Sequence, residues 1–226
     1  MAGTYLRALL VILIGGSMLA GTAGRAADAP QKIRFAYASR SNIVAPKHIA
    51  PSRGYFKAEG LEVEMIQMNP RLSATAIING DVTYADAFTS TFRGIMQGFP
   101  VKLVMVHQKK GPYFLIARPE FKDIQQLKGK RLGVATLRGS DHLVADELML
   151  AKGFNPATVQ PIVIGDASMR YQAMIGGIID VVAVATPQDL MLRQKGFTVF
   201  AGPPEVGVPG SGVFTSEKFL RENSPA

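Results

Sequence analysis

Hydroxyl, guanidinium and carboxylate side chains collect at one recurring kind of place in this chain. They sit in the few residues between a β-type run and the helix-type run that follows it. Ser39, Arg40 and Ser41 follow Lys32–Ala38, and Ser73 closes a loop that begins at Asn69. Thr89 and Ser90 end the loop from Ala87, Arg138, Gly139, Ser140 and Asp141 stand together, and Thr186 precedes Pro187. Hydroxyls donate or accept hydrogen bonds, and arginine forks onto a carboxylate, sulfonate or phosphate. Arg40 and Arg138 suit that role, and read equally well as solvated surface. Asp86, Asp141 and Asp166 fit an amine, although helix capping is the better reading of Asp141 and Asp166. Gly139 lets the backbone approach a ligand closely, and Ser140 carries the strongest binding expectation.

These residues can hold a solute, and none of them forms a reaction centre. No P-loop, G-x-S-x-G, H-E-x-x-H or G-x-G-x-x-G pattern occurs. His48, His107 and His142 share no metal-ligand spacing and read as structural or surface residues. Cysteine is absent, which removes thiolate chemistry, disulfides and cysteine-based metal sites. No catalytic residue, metal or cofactor is expected.

The elements that must position these loops alternate. Strand-like runs are Lys32–Ala38, Glu62–Gln67, Val82–Ala85, Val101–His107, Phe114–Ala117, Arg131–Ala135, Val159–Ile164, Asp180–Ala183 and Thr198–Phe200. Helix-like stretches lie at 45–53, 73–79, 89–97, 141–152, 168–175 and 187–195. Alternation of this kind predicts α/β architecture, with mostly parallel sheets flanked by helices. Ser73, Thr89 or Ser90, Ser140, Ser168 and Thr186 are expected N-caps. Pro187 is expected at a first helical position, and Gly80, Gly98, Gly153, Gly176 and Gly196 as left-handed C-caps. The chain also resembles itself. Ala76–Gly80 aligns with Ala173–Gly177, Gly98-Phe99 with Gly196-Phe197, and Glu59–Leu61 with Lys152–Phe154. An offset near a hundred residues predicts two similar lobes. Breakers at Gly111-Pro112 and Gly202-Pro203-Pro204 place crossings near 108–116 and 203–214. Ligands of open α/β sheets sit beyond the carboxyl ends of the strands, so two such edges facing each other make a cleft.

The N-terminus carries Arg7, an apolar run from Ala8 to Ala20, and small residues after it. The run is shorter than the ~20 residues of a membrane span, and the pattern reads as a secretory signal peptide covering 1–26. Ala27 or Pro30 is the expected mature start. Export to the periplasm follows, and an exported chain rarely meets nucleic acid. The formal charge is +8, but the densest basic cluster is only Lys128, Lys130 and Arg131. The charge reads as a solvated surface with no nucleic-acid site.

The motifs in their order resemble the substrate-binding proteins of ABC importers, of the nitrate/sulfonate/taurine and thiamine-pyrimidine type. The stretches that carry the likeness are Lys32–Ala38, Gly54–Val63, Asn79–Thr83, Gln97–Lys102, Leu127–Val134 and Gly139-Ser140. The resemblance implies a two-lobed periplasmic-binding-protein fold of type II, with lobe 1 at 27–110, lobe 2 at 111–205 and a return segment at 206–226. It implies capture of a small anionic or heteroaromatic solute by a monomer, which delivers it to an ABC permease and its ATPase. Glu217–Asn223 reads as a helix returning to the first lobe, and family members continue through further helices. Two departures fall on cleft positions. The loop Met68–Leu72 is not glycine-rich, and no aromatic residue precedes Pro187, so the family's usual ligands are not carried over. An exported dehydratase-like enzyme and a ligand-sensing ectodomain are the alternative functions.

Overall fold

The computed structural model describes residues 29–204 and 209–223, and the expected signal peptide lies outside them. In chain order the first elements are β1 (Gln31–Tyr37), α1 (Ala45–Ser52), α2 (Tyr55–Ala58), β2 (Leu61–Gln67), α3 (Ser73–Asn79), β3 (Tyr84–Ala85), α4 (Phe88–Met96) and β4 (Val101–Gln108). Then come β5 (Phe114–Ala117), β6 (Arg131–Val134), α5 (Ser140–Ala151), β7 (Gln160–Val163), α6 (Ala167–Ile175), β8 (Val181–Val184), α7 (Gln188–Gln194) and β9 (Thr198–Ala201). The described chain closes with β10 (Ser211–Ser216) and α8 (Glu217–Asn223).

These strands form two five-stranded sheets, ordered β2-β1-β3-β10-β4 and β7-β6-β8-β5-β9. All strands of a sheet run the same way except β10 in the first and β5 in the second. The alternating α/β reading therefore holds. The internal likeness is a likeness of sheet order: Gln31 and Arg131, Leu61 and Gln160, Tyr84 and Val181, Val101 and Thr198 open strands in matching places.

The antiparallel strands come from outside that repeat. The chain leaves the first sheet after Gln108, and β5 enters the second between β8 and β9; it leaves the second after Ala201, and β10 enters the first between β3 and β4. The two passages touch where the Gly210 N–H donates to the Gln108 carbonyl at 3.0 Å. Both inserted strands are core. Leu115, Ile116, Ala117 and Phe214 are fully buried. All four residues of β8 are buried too, as expected of a central strand covered on both faces.

Several local expectations are corrected. The strand expected from Val82 begins only at Tyr84, because the Val82 N–H turns back to the Ala76 carbonyl and its side chain packs into the core. Gly54, at φ 74°, ends the first helix and opens the unforeseen α2. Gly176 is not left-handed, and Gly177 at φ 69° takes that role. The hydroxyl caps are also displaced. Ser73 lies inside helical backbone because a turn capped by Asn69 runs straight into α3. Thr89 and Ser90 fall in the first turn of α4, Ser140 opens α5 without capping it, and α7 begins after Pro187. Asp166 caps α6, accepting from the N–H groups of Ser168 and Met169.

Arg131 and Asp180 clamp β6 to β8. The guanidinium donates through Nε and Nη2 to the two carboxylate oxygens, each at 2.8 Å. That contact holds the Asp180 carboxyl below the usual carboxylate range. A depressed acid stabilises the fold above its unfolded pKa, and this stabilisation is lost as pH falls through the folded value. The melting-temperature difference between the protein and Asp180→Asn is therefore expected to be largest at neutral pH and to shrink below about pH 4, which a pH series of thermal melts reads directly.

Candidate functional site

The carboxyl ends of both sheets look into one small cavity of about 80 Å³. From the first sheet come Ser39, after β1, and Asp86 to Ser90, where β3 turns into α4. From the second come Thr136 and Gly139 to Asp141, between β6 and α5, and Asp166 and Arg170 of α6. Tyr113 and Ser211, at the two passages between the sheets, complete the wall.

Two ion pairs underlie this wall. Lys47 of α1 reaches Asp86 at 2.7 Å and Ser211 Oγ at 2.9 Å, with Lys47 9% and Asp86 4% exposed. Asp86 also accepts the Ala38 N–H. Burial pushes the Asp86 carboxyl up and the Lys47 ammonium down, and the contact between them opposes both shifts. In the second half Arg170 donates to Asp141 and to the Ala183 carbonyl, each at 2.8 Å. Asp141 also accepts the Ala135 N–H at 2.7 Å. Asp141 is thus a buried ion-pair partner and not the helix cap expected of it. Tyr113 lies between the pairs. Burial, and after it the Asp141 charge, pushes its phenol far above the ordinary range, so it stays a neutral hydroxyl.

Hydrogen bonds join the two sides across the cleft. The Thr89 and Ser140 hydroxyls bond to each other. Arg93 Nη2 donates to the Arg138 carbonyl, and Gln67 Nε2 to Asp166, each at 2.9 Å. The Asn42 N–H donates to the Thr186 carbonyl, also at 2.9 Å. Gly139 is small for a reason the sequence did not show, since a Cβ there would strike the Thr136 hydroxyl and crowd Asp141.

Of the residues expected to meet a ligand, Ser39, Thr89, Ser90, Gly139, Ser140 and Asp141 line the cavity. Arg40, Ser41 and Thr186 line a neighbouring open groove. Ser73 is buried beneath α3. Arg138 is exposed at φ 57°, the left-handed region, and its N–H is held by His142 Nδ1. Lys47, Tyr113, Arg170 and Ser211 were not foreseen. Lys47 and Arg170 sit in helices that read locally as half-exposed, and nothing in the sequence pairs them with aspartates tens of residues away.

The family model NMT1/THI5 like matches residues 42–226. The riboflavin-binding protein RibY of Chloroflexus aurantiacus is 24% identical over 206 residues, which is 85% of this chain and 57% of that relative. Among solved structures, the alkanesulfonate-binding protein SsuA from Xanthomonas axonopodis pv. citri, bound to MOPS, superposes with TM-score 0.68 at 15% identity, covering 85% of this chain and 68% of its own. PhnD1 from Prochlorococcus marinus, in complex with methylphosphonate, gives 0.63 at 12% identity, covering 85% and 79%. A product of Candida albicans described as having the generic periplasmic binding protein fold gives 0.62 at 16% identity, covering 85% and 66%. These likenesses show that the fold is that of periplasmic binding proteins, and the chain spans little more than half the length of its curated relative.

Removing one partner of a buried pair strands the other charge, which costs about 3–5 kcal/mol. Lys47→Met should lose stability in that range on urea denaturation. Adding Asp86→Asn should recover part of the loss, giving a double variant more stable than the sum of the singles predicts.

Proposed function

The chain belongs to the NMT1/THI5-like family, and on that premise we propose that it is an extracytoplasmic solute-binding protein of an ABC importer. In this reading residues 1–26 direct export, residues 27–110 and 111–205 form two lobes, and 206–226 return toward the first. The lobes close on a small solute, and the loaded form docks on a permease served by an ATPase.

One observation carries the reading: strand-to-helix loops from both sheets together wall a cavity between them. Helix first turns there present N–H groups that no helical carbonyl satisfies. The bonded hydroxyls of Thr89 and Ser140 lie where closure would bring the two sides together. Opening such a cleft requires bending at two passages only, the known repertoire of hinged binding proteins. An enzyme on this scaffold would need a free acid and base within reach. Here Asp86 and Asp141 are each committed to a cation, which favours the binding reading.

N-terminal sequencing of exported protein is expected to return Ala27 or Pro30. A chain that begins at Met1 and stays in the membrane would overturn the export reading.

Mass spectrometry of solutes released from natively purified protein identifies the ligand, and calorimetry then measures its affinity. Ser140→Ala removes no helix cap but does remove the hydrogen bond to Thr89, so its unfolding free energy should fall by about 0.5–1.5 kcal/mol while the protein stays folded. Its affinity should fall by up to about tenfold, the worth of a neutral hydrogen bond. Unchanged affinity in folded Ser140→Ala and Thr89→Val would place the site elsewhere.

A further inference from the structure

An aspartate stands at the start of three of the helices whose N-termini reach the cavity; α1, whose N-cap Val44 also lines it, and the Pro70 turn leading into α3 carry none. Asp86 lies two residues before α4, Asp141 is the second residue of α5, and Asp166 caps α6. A helix N-terminus attracts an anion through its free N–H groups and its dipole. Asp166 accepts two N–H groups of α6, whereas Asp86 and Asp141 are turned to cations and to the Ala38 and Ala135 N–H groups and cap neither α4 nor α5.

The cations are committed as well. Arg170 is the one lysine or arginine among the described residues lining the cavity, and it is bound to Asp141. Lys47, just behind the wall, is bound to Asp86. Each pair carries no net charge whichever partner holds the proton. Among the described residues no cation pairs with the Asp166 carboxylate: one of its oxygens caps α6 and the other accepts from the neutral amide of Gln67. Arg40 and Arg138, the two arginines that suited an anion, do not line the cavity. What remains on the wall is a set of hydroxyls, those of Ser39, Thr89, Ser90, Thr136, Ser140 and Tyr113.

From this balance we infer that the cleft selects a small polar solute without net negative charge, a neutral hydrogen-bonding molecule or an amine, and discriminates against sulfonates and phosphonates. The inference rests on the solute-binding reading above and assigns the charge class of that same site. An entering oxyanion would meet one uncompensated carboxylate and no available cation. Its own charge would have to lose water with only neutral hydroxyl and N–H donors, and no cation, to replace it, which is the costlier case. A donor-bearing solute finds hydroxyl and carboxylate acceptors already aimed at it.

The charge of the solute released from natively purified protein, read by mass spectrometry, is expected to be zero or positive at pH 7. Methanesulfonate, titrated by calorimetry and ligand-observed NMR, is expected to bind the parent protein at least a hundredfold more weakly than that solute. Asp166→Asn removes the excess charge and keeps a competent cap, because asparagine caps as well as aspartate. It should tighten methanesulfonate binding at least tenfold. Asp141→Asn frees Arg170 and should tighten it further, with its folding checked by circular dichroism; if that variant does not fold, Asp166→Asn alone decides. An anionic released solute, or methanesulfonate affinity unchanged in the folded variants, overturns the charge assignment and leaves the solute-binding reading standing. Failure to release or bind any solute removes both.

Discussion

Each sheet of this protein is completed by a strand that reaches it from the other. β5 is inserted between β8 and β9 after the first passage, and β10 between β3 and β4 after the second. Neither strand can be withdrawn cheaply, because Leu115, Ile116 and Phe214 are fully buried, and emptying such positions leaves cavities worth several kcal/mol. The exchange binds the two halves while leaving only two short passages between them, themselves joined by the Gly210–Gln108 hydrogen bond. It also sets the polarity of the sheets, turning both rows of carboxyl strand ends toward one space. The cavity is a consequence of that constraint.

Once the strand ends converge, their loops bring buried charge with them, and the structure answers it locally. Lys47 satisfies Asp86, and Arg170 satisfies Asp141. Buried pairs of this kind add little net stability over apolar residues of the same shape, while breaking one is costly. Their value here is geometric. Asp86 also accepts the Ala38 N–H and Asp141 the Ala135 N–H, so each carboxylate pins the loop that follows β1 or β6, strands that hold matching places in the two sheets. The same device recurs in both halves, built from a lysine on α1 in one and an arginine on α6 in the other.

The alternation of elements, the doubled sheet order and the loops that meet at the cavity were legible because they depend on local pattern. The strand read at Asp180–Ala183 falls one residue off β8, and the cap read at Asp166 is there, while Ser168, also read as a cap, lies inside α6. Ser39, Thr89, Ser90, Gly139, Ser140 and Asp141, singled out by their position after strands, line the cavity. Their roles were harder to read. Asp141 looks like a cap in sequence, and only the fold brings Arg170 to it. Arg40 and Arg138 look like anion ligands, yet a residue's place in a loop does not say which way its side chain leaves. Hydroxyl caps failed because a preceding turn carries helical backbone into Ser73, and because α4 starts from Ala87 and so takes Thr89 and Ser90 into its first turn. Capping depends on backbone angles one residue earlier, which composition does not fix.

In the proposed reading, the buried cluster of the first half would tie recognition to the passages between the sheets. Lys47 holds Asp86 on the cavity wall and Ser211 at the entry of β10 in the same grip, so one ammonium joins α1, the floor of the cavity and the return passage. A solute that competed for Asp86 would loosen Ser211 and expose a buried cation, a cost its own contacts would have to exceed. A solute held by the hydroxyls of Ser39, Thr89, Ser90 and Ser140 leaves that grip intact. It also spans loops from both sheets, so the contacts that retain it are the ones that draw the two sides together. The economical division of labour is therefore for the ion pairs to hold the frame and the hydroxyl wall to do the binding.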